Sequence, residues 1–189
     1  YLAARAALIG ERSMVRAAPG VPGNAAPDGA AAASDERAAT THLSIVDARG
    51  DAVSMTSSIE NAFGARLMVR GFLLNNQLTD FSLPPENAGT PAANRVQPGK
   101  RPRSSMSPTL VLERSSGALV LAIGSPGGPS IVSYVARTLI ASLDDGLDLQ
   151  RAIALPNVGS RNGPTELERG RATWRLCTGI PPPGAAPAR

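Results

Sequence analysis

Thr40 is the residue on which the chemistry of this sequence turns. It follows residues 18–39, APGVPGNAAPDGAAAASDERAA, a low-complexity stretch. Pro19, Pro22 and Pro27 with Gly20, Gly23 and Gly29 break any regular element there. The stretch reads as a flexible, exposed connector of the kind in which cleavage concentrates. At Thr40 the texture changes abruptly to a β-type run. A cut before Thr40 would free its α-amine, whose pKa of roughly 7.7–8.0 leaves a useful neutral fraction near pH 7. That amine can take the proton of the residue's own hydroxyl, so one residue supplies both nucleophile and base. A threonine opening a strand is also ordinary, because threonine favours strands. The cleavable connector in front of it is what gives the catalytic reading its weight.

Three further groups could complete such a site. Gly124-Ser125-Pro126-Gly127-Gly128 sits between an apolar strand and a helix. Its glycines let backbone approach a ligand closely, and a helix start presents unpaired N–H groups. That suits a developing oxyanion. It would also suit a phosphate, although the Gly-Lys-Ser/Thr of a P-loop is missing, and a plain strand–helix turn has the same composition. Ser104-Ser105-Met106-Ser107-Pro108-Thr109 gathers hydroxyls beside Arg95, Lys100, Arg101 and Arg103. It can recognise a carboxylate, or can be a solvated turn bonded to its own backbone. Asn75, Asn76, Gln77 and Asp80 could grip an ammonium or an amide, or cap their own loop. His42 reads as a strand residue and not as a base, since no Asp–His–Ser order supports a triad.

The elements that must position these groups follow from the pattern. Residues 1–17 read as a short helix, weakened by Gly10. Residues 41–47 and 52–57 form a hairpin about the turn Ala48-Arg49-Gly50-Asp51. Residues 67–74 hold another apolar run, and 82–103 form a long Pro/Gly/Asn-rich loop, usually functional or mobile. A second hairpin joins 109–112 to 118–123 through Ser115-Ser116-Gly117. Both of its strands are apolar nearly throughout, which predicts cover on both faces. A helix from about 130 to 144 should bury Ile131, Val135, Leu139 and Leu143, with Val132 and Ile140 beside them. A shorter helix spans 148–154. Residues 171–189 hold the single Trp and the single Cys, no acid, and Pro181-Pro182-Pro183. They read as an irregular tail and not as a continuation of the domain.

Composition removes several classes. The 189 residues fit one domain or subunit. One Cys makes no internal disulfide, and one Cys with one His cannot build the usual four-ligand zinc site. No apolar run approaches the ~20 residues of a membrane span. The net charge of +4 is small and made mostly of scattered Arg, and aromatics reach only 3%. The broad basic face and stacking platforms of a nucleic-acid binder are therefore missing. The core must be built from Ala, Leu, Val and Ile. Tyr1-Leu2-Ala3-Ala4-Arg5 lacks an initiator Met and a signal-peptide layout, so the expectation is an internal piece of a longer chain.

Five ordered blocks over residues 40–128 resemble one family. They are Thr40-Thr41-His42-Leu43-Ser44-Ile45-Val46-Asp47, Asn61-Ala62-Phe63-Gly64, Leu73-Leu74-Asn75-Asn76-Gln77-Leu78-Thr79-Asp80-Phe81, Arg101-Pro102-Arg103-Ser104-Ser105-Met106-Ser107-Pro108-Thr109 and Gly124-Ser125-Pro126-Gly127-Gly128. They look like the small subunit of gamma-glutamyltranspeptidases, also called glutathione hydrolases. The likeness runs on more weakly to about Glu168, and residues 1–39 look like the end of the large subunit. The resemblance implies an α/β (α+β) fold, the αββα sandwich of N-terminal-nucleophile hydrolases, incomplete in this chain. The expected organisation is 1–39 as large-subunit end and cleavable linker, 40–170 as a partial small-subunit core, and 171–189 as the tail. It also implies autocleavage between Ala39 and Thr40, a γ-glutamyl-enzyme, and transfer of the acyl group to water or an amine.

Carried over by position, Thr40 is the nucleophile and new N-terminus. Ser58 stands where the family has a Thr that hydrogen-bonds the nucleophile's amine. Glu60, Gln77 and Asp80 match positions that hold the substrate α-amine, and Ser104 and Ser105 match those that hold its α-carboxylate. Gly127 and Gly128 match the oxyanion-hole glycines. A γ-glutamyl group has a zwitterionic end, for which carboxylates and paired hydroxyls are suited. The implied partners are glutathione and other γ-glutamyl compounds, amino-acid or peptide acceptors, and the large subunit cut from the same precursor. No cofactor, metal or nucleic acid is implied, and the implied compartment is periplasmic or extracellular. Departures are Ser58 for the commoner Thr, Glu60 where many members have Asn, and a short, Tyr-free segment after Asp80, so a tyrosine lid is reduced. The large-subunit arginine that pairs the substrate carboxylate is absent from this chain. The other readings are an acylase of the same fold that removes a dicarboxylic acyl chain, and a non-enzymatic anion-binding fragment.

Overall fold

The computed structural model describes residues 1–23, 29 and 39–168. Most of the connector expected over 18–39 and the whole tail 171–189 lie outside the described residues. The chain divides into two compact units, one of Tyr1–Leu2 with Gly20–Val135 and one of Ala3–Pro19 with Ala136–Arg189.

The first unit is built from hairpins. Strand β1 (Thr40–Val46) pairs antiparallel with β2 (Ala52–Ser58), with Thr40 opposite Ser58, His42 opposite Thr56 and Ser44 opposite Ser54. The turn between them is set by Asp47, whose Oδ1 accepts from the N–H groups of Arg49 (2.8 Å) and Asp51 (3.0 Å). Such an Asx arrangement replaces backbone partners that a tight turn cannot supply. Because side chains alternate across a strand, the even-numbered residues Thr40, His42, Ser44, Ser54, Thr56 and Ser58 share one face. That face is a band of hydroxyls around one imidazole.

Strands β3 (Met68–Val69) and β4 (Phe72–Leu73) form a small exposed hairpin. Residues 82–103 are not the structureless loop that their composition predicts. They contain β5 (Glu86–Asn87) paired with β6 (Thr90–Pro91), and a parallel bridge between Ser82 and Arg95. Ala88 and Gly89 both take positive φ (50° and 77°), the primed turn that matches strand twist.

The second long hairpin is as expected: β7 (Thr109–Leu112) pairs with β8 (Leu119–Ile123), with a register shift at Val111/Leu112. The expectation of cover on both faces is corrected. Leu121 and Ile123 are buried, while Leu110, Leu112 and Val120 are exposed. Among the described residues one face of the hairpin is covered, and the apolar side chains of the other stay exposed. The buried apolar residues of this unit are Phe81, Ala92, Leu121, Ile123, Ile131 and Val135.

The helical part also differs in detail. Residues 1–17 give only α1 (Leu2–Ala6), with no buried residue, since an isolated short helix without a packed face is marginal. The predicted helix over 130–144 is three pieces: a 3-10 turn at Gly128–Ser130, α2 (Ile131–Leu139) and a π-turn at Ile140–Asp144. Ile131, Val135, Thr138 and Ala141 are buried, while Val132, Ile140 and Leu143 are exposed. The buried residues Ile131, Val135, Thr138 and Ala141 keep close to the 3.6-residue line, whereas the expected stripe of Ile131, Val135, Leu139 and Leu143 steps by four and drifts off that face. In the second unit, α3 (Leu149–Ala154) is N-capped by Asp148, which accepts from the Arg151 N–H (3.1 Å). Short strands β9 (Val158–Gly159) and β10 (Glu166–Leu167) pair there.

Candidate active site

The strand register puts Ser58 beside Thr40, eighteen residues away in sequence. The Thr40 hydroxyl donates to Ser58 Oγ (3.3 Å), and Ser58 Oγ donates to the carbonyl of Ala39 (3.2 Å). The Glu60 N–H in turn donates to Ser58 Oγ (3.0 Å). One hydroxyl thus touches the Thr40 side chain and polarises the carbonyl of the peptide bond directly before it.

From Ser58 the hydrogen bonding continues through the expected recognition residues. Glu60 is 4% exposed and holds φ at 71°, a left-handed conformation that costs a non-glycine residue energy. The adjacent Asn61 N–H donates to Asn76 Oδ1 (3.0 Å), and the Asn76 N–H donates to the carbonyl of Ile59 (3.3 Å). Asn75 Oδ1 accepts from the Gln77 N–H (2.9 Å), opening a 3-10 turn over Gln77–Asp80. Asn75 and Asn76 therefore serve as loop caps, the structural alternative left open above. Gln77 Nε2 donates to Asp80 Oδ2. Asp80 is 2% exposed, and its Oδ1 has no hydrogen-bond partner.

Asn94, which no pattern in the sequence singled out, joins the next limb. Its Nδ2 donates to the Asp80 carbonyl (2.6 Å), its Oδ1 accepts from the Arg103 N–H (3.3 Å), and its own carbonyl accepts from the Ser82 N–H (2.8 Å). One asparagine thus ties the Asp80 segment to the segment entering Ser104 and Ser105. An Asn in a Pro/Gly/Asn-rich loop carries no periodic signal, so only tertiary contacts reveal it. Ser104 is exposed and its hydroxyl oxygen accepts from the Met106 N–H (3.2 Å), leaving the O–H proton for another acceptor. Ser105 is half-buried, and its carbonyl accepts from the Ser107 hydroxyl (3.3 Å).

The glycine loop is held by the same hairpin. Gly127 has φ 140° and Gly128 φ 55°, both in the region that favours glycine, and Gly128 opens the 3-10 turn that leads into α2. The first N–H groups of such a turn have no carbonyl within it to bond. The hydroxyls of Ser44 and Ser54 donate to the carbonyls of Ala122 (3.2 Å) and Ile123 (2.9 Å), the residues just before the loop. His42 lies between the Thr56 hydroxyl (Nδ1, 2.9 Å) and the Ser44 hydroxyl (Nε2, 3.1 Å). Ser44 has its proton on Ala122, so it accepts from Nε2–H, and Nδ1 shares a hydrogen bond with the Thr56 hydroxyl. Burial holds the ring's pKa below the usual 6.5, which favours the neutral imidazole. Among the described residues no three His, Cys, Asp or Glu side chains are grouped as metal ligands.

The Thr40 hydroxyl, a serine bonded to it and to the carbonyl before it, and a glycine turn anchored to the same strands make one arrangement. The gamma-glutamyltranspeptidase family model matches residues 1–173. The chain belongs to the gamma-glutamyltranspeptidase family. It is 42% identical over 121 residues to the glutathione hydrolase proenzyme of Bacillus subtilis (strain 168), covering 63% of this chain and 19% of that protein. It is 41% identical over 138 residues to the glutathione hydrolase proenzyme of Escherichia coli (strain K12), covering 68% of this chain and 23% of that protein. Among solved structures it resembles the gamma-glutamyltranspeptidase from Pseudomonas nitroreducens complexed with L-DON (40% identity, TM-score 0.57, 64% of this chain and 65% of that one). An acivicin-inhibited gamma-glutamyltranspeptidase is similar at 37% identity and TM-score 0.56, over 64% of this chain and 67% of that one. The N-terminal-nucleophile hydrolase fold expected from the sequence is thereby borne out. The chain spans about a fifth of the length of these curated relatives.

Proposed function

We propose that the whole protein is a gamma-glutamyltransferase and glutathione hydrolase that matures by cutting itself between Ala39 and Thr40. The observation that carries this reading is the relay from the Thr40 hydroxyl through Ser58 to the Ala39 carbonyl. Thr40 Oγ1 attacks the Ala39 carbonyl carbon, and charge that develops on its oxygen meets the Ser58 O–H. The C–N bond breaks, the α-amine of Thr40 takes the proton lost by the hydroxyl, and water hydrolyses the ester. The products are the Ala39 carboxylate and a free Thr40 amine. Autoprocessing is named for the acivicin-inhibited relative as well.

In the mature site that amine is the base for its own hydroxyl. Thr40 Oγ1 attacks the γ-carbonyl of a γ-glutamyl amide, and the N–H groups of Gly127 and Gly128 stabilise the oxyanion. The leaving amine takes the proton, and water or an amino-acid or peptide amine then accepts the acyl group. The substrate class follows from Asp80. A carboxylate at 2% exposure with one oxygen unpartnered is an acceptor waiting for a cation, and the α-ammonium of a γ-glutamyl group is one. Ser104 and Ser105 take the α-carboxylate at the far side of the Asn94 bridge. Glutathione is such a compound.

The test uses the full-length protein. Wild type should yield a new N-terminus at Thr40 by mass spectrometry and hydrolyse a γ-glutamyl anilide, and Thr40→Ala should remain one inactive chain. Asp80→Ala should lower γ-glutamyl turnover by roughly 10–100-fold or more, the scale of a charge-assisted hydrogen bond. Glutaryl anilide, which lacks the amine, should lose much less. A mature N-terminus at Thr41, or equal losses on both substrates, would overturn the reading.

A further inference from the structure

The place a side chain on Gly124 would take is already occupied. A Cβ there would overlap the imidazole of His42, 2.8 Å from Nε2 and closer still to Cε1 and Nδ1. Gly127 and Gly128 are glycine for conformational reasons, since both have left-handed φ. Gly124 is not among the positive-φ residues, so backbone strain does not demand a glycine. The three nearest atoms that a side chain would meet all belong to the ring.

The ring cannot easily yield. Its two nitrogens are bonded to hydroxyls on both strands of the first hairpin, Thr56 on β2 and Ser44 on β1. Ser44 and Ser54, opposite each other in that hairpin, hold the carbonyls of Ala122 and Ile123. Three consecutive residues at the end of β8 are therefore set by three neighbouring side chains of one polar face. At the far end of the loop, a Cβ on Gly127 would lie 2.7 Å from Cε2 of Tyr134 in α2. The loop thus runs between two aromatic rings, with Pro126, whose φ is fixed by its ring, midway.

We propose that His42 is a positioning residue that sets where the Gly124–Gly128 loop begins and thereby where the N–H groups of Gly127 and Gly128 point. Gly124 is its obligatory partner. The proposal rests on the reading above that those N–H groups hold the oxyanion. A shift of about 1 Å at such donors is enough to cost on the order of 10²-fold in rate. Ground-state binding uses Glu60, Asp80, Ser104 and Ser105, so the loss falls on kcat and not on KM.

The experiment is a double-mutant cycle in the full-length protein with His42→Ala, Gly124→Ala and the two combined, read as kcat and KM for a γ-glutamyl anilide and as Tm. Gly124→Ala alone should lower kcat about 10–100-fold with KM changed less than about threefold. In the His42→Ala background those three nearest ring atoms are gone, so the double variant should be no slower than either single one and should regain Tm. His42→Gln, which keeps a donor and an acceptor, should retain more kcat than His42→Ala and serves if the latter fails to fold. Losses that multiply, a Gly124→Ala protein with wild-type kcat, or a change confined to KM would each overturn the proposal. If wild type itself does not turn over the anilide, the functional reading fails instead. The coupling in Tm between the two positions then still decides whether the ring and Gly124 share one space.

Discussion

The two long hairpins of the first unit use their faces in opposite ways. In β7–β8 the apolar side chains Leu121 and Ile123 are buried, as the hydrophobic effect demands. In β1–β2 the half-buried face is polar: Thr40, His42, Ser54, Thr56 and Ser58 lie there, with Ser44 on the same side. The apolar face of that hairpin, Leu43, Ile45, Val53 and Met55, is exposed. A binary pattern alone would place the hydroxyls outside. They face inward because each finds a partner, on β8, on the histidine, on the Ala39 carbonyl or, for Thr40, on Ser58. Buried polar groups are tolerated when they are bonded. A face of paired hydroxyls can hold a reacting peptide bond and an anchored loop, which an apolar face cannot.

Leu121 and Leu110 break this comparison most severely. Leu121→Ala should destabilise the 189-residue chain by about 2–4 kcal/mol, because it removes buried methylenes and leaves a cavity. Leu110→Ala, on the open face of the same hairpin, should cost less than about 0.5 kcal/mol there. In the full-length protein the two costs should converge, the outcome expected if further chain covers this face. Urea unfolding of both lengths measures all four values, and a Leu110→Ala cost that stays small at full length would mean that the open face is never covered.

A smaller effect separates the two faces of β2. Ser54→Ala removes a bonded hydroxyl from the Ile123 carbonyl and should cost about 1 kcal/mol. Ser57→Ala, three residues on and exposed, should be neutral within about 0.5 kcal/mol. Chemical denaturation of the pair reads the difference, and equal costs would show that the polar face carries no special stability.

The smallest expected effect is on pH. Burial holds the His42 pKa below its unfolded value of 6.5. The unfolded chain therefore binds the proton more readily, and the stabilising contribution is present above pH 6.5 and is lost as pH falls through the depressed value. Melting curves of wild type and His42→Gln between pH 4.5 and 8 should diverge on the alkaline side of that window and approach each other on the acid side. Parallel curves would remove His42 from the pH response.

Much of the site is legible from residue order. Thr40 stands out because a connector that cannot fold ends where a strand begins, and Gly127-Gly128 stands out because glycines between an apolar strand and a helix leave backbone open. The hairpin 40–58 also follows from its sequence, since Gly50 and the flanking Asp47 and Asp51 supply turn chemistry that is local. Local rules act between neighbours, and a sequence states its neighbours outright.

What only the tertiary structure decided lies between residues far apart in the chain. The contact of Ser58 with Ala39, the bridge made by Asn94 between Asp80 and Arg103, and the overlap of His42 with Gly124 all depend on strand register and loop path. That Ala141 is buried and Leu143 exposed depends on what packs beside them. A hydrogen bond or a steric exclusion is made within a few ångströms and is indifferent to separation in sequence. Composition and spacing therefore named the candidate groups, and only the packed chain set the distances between them.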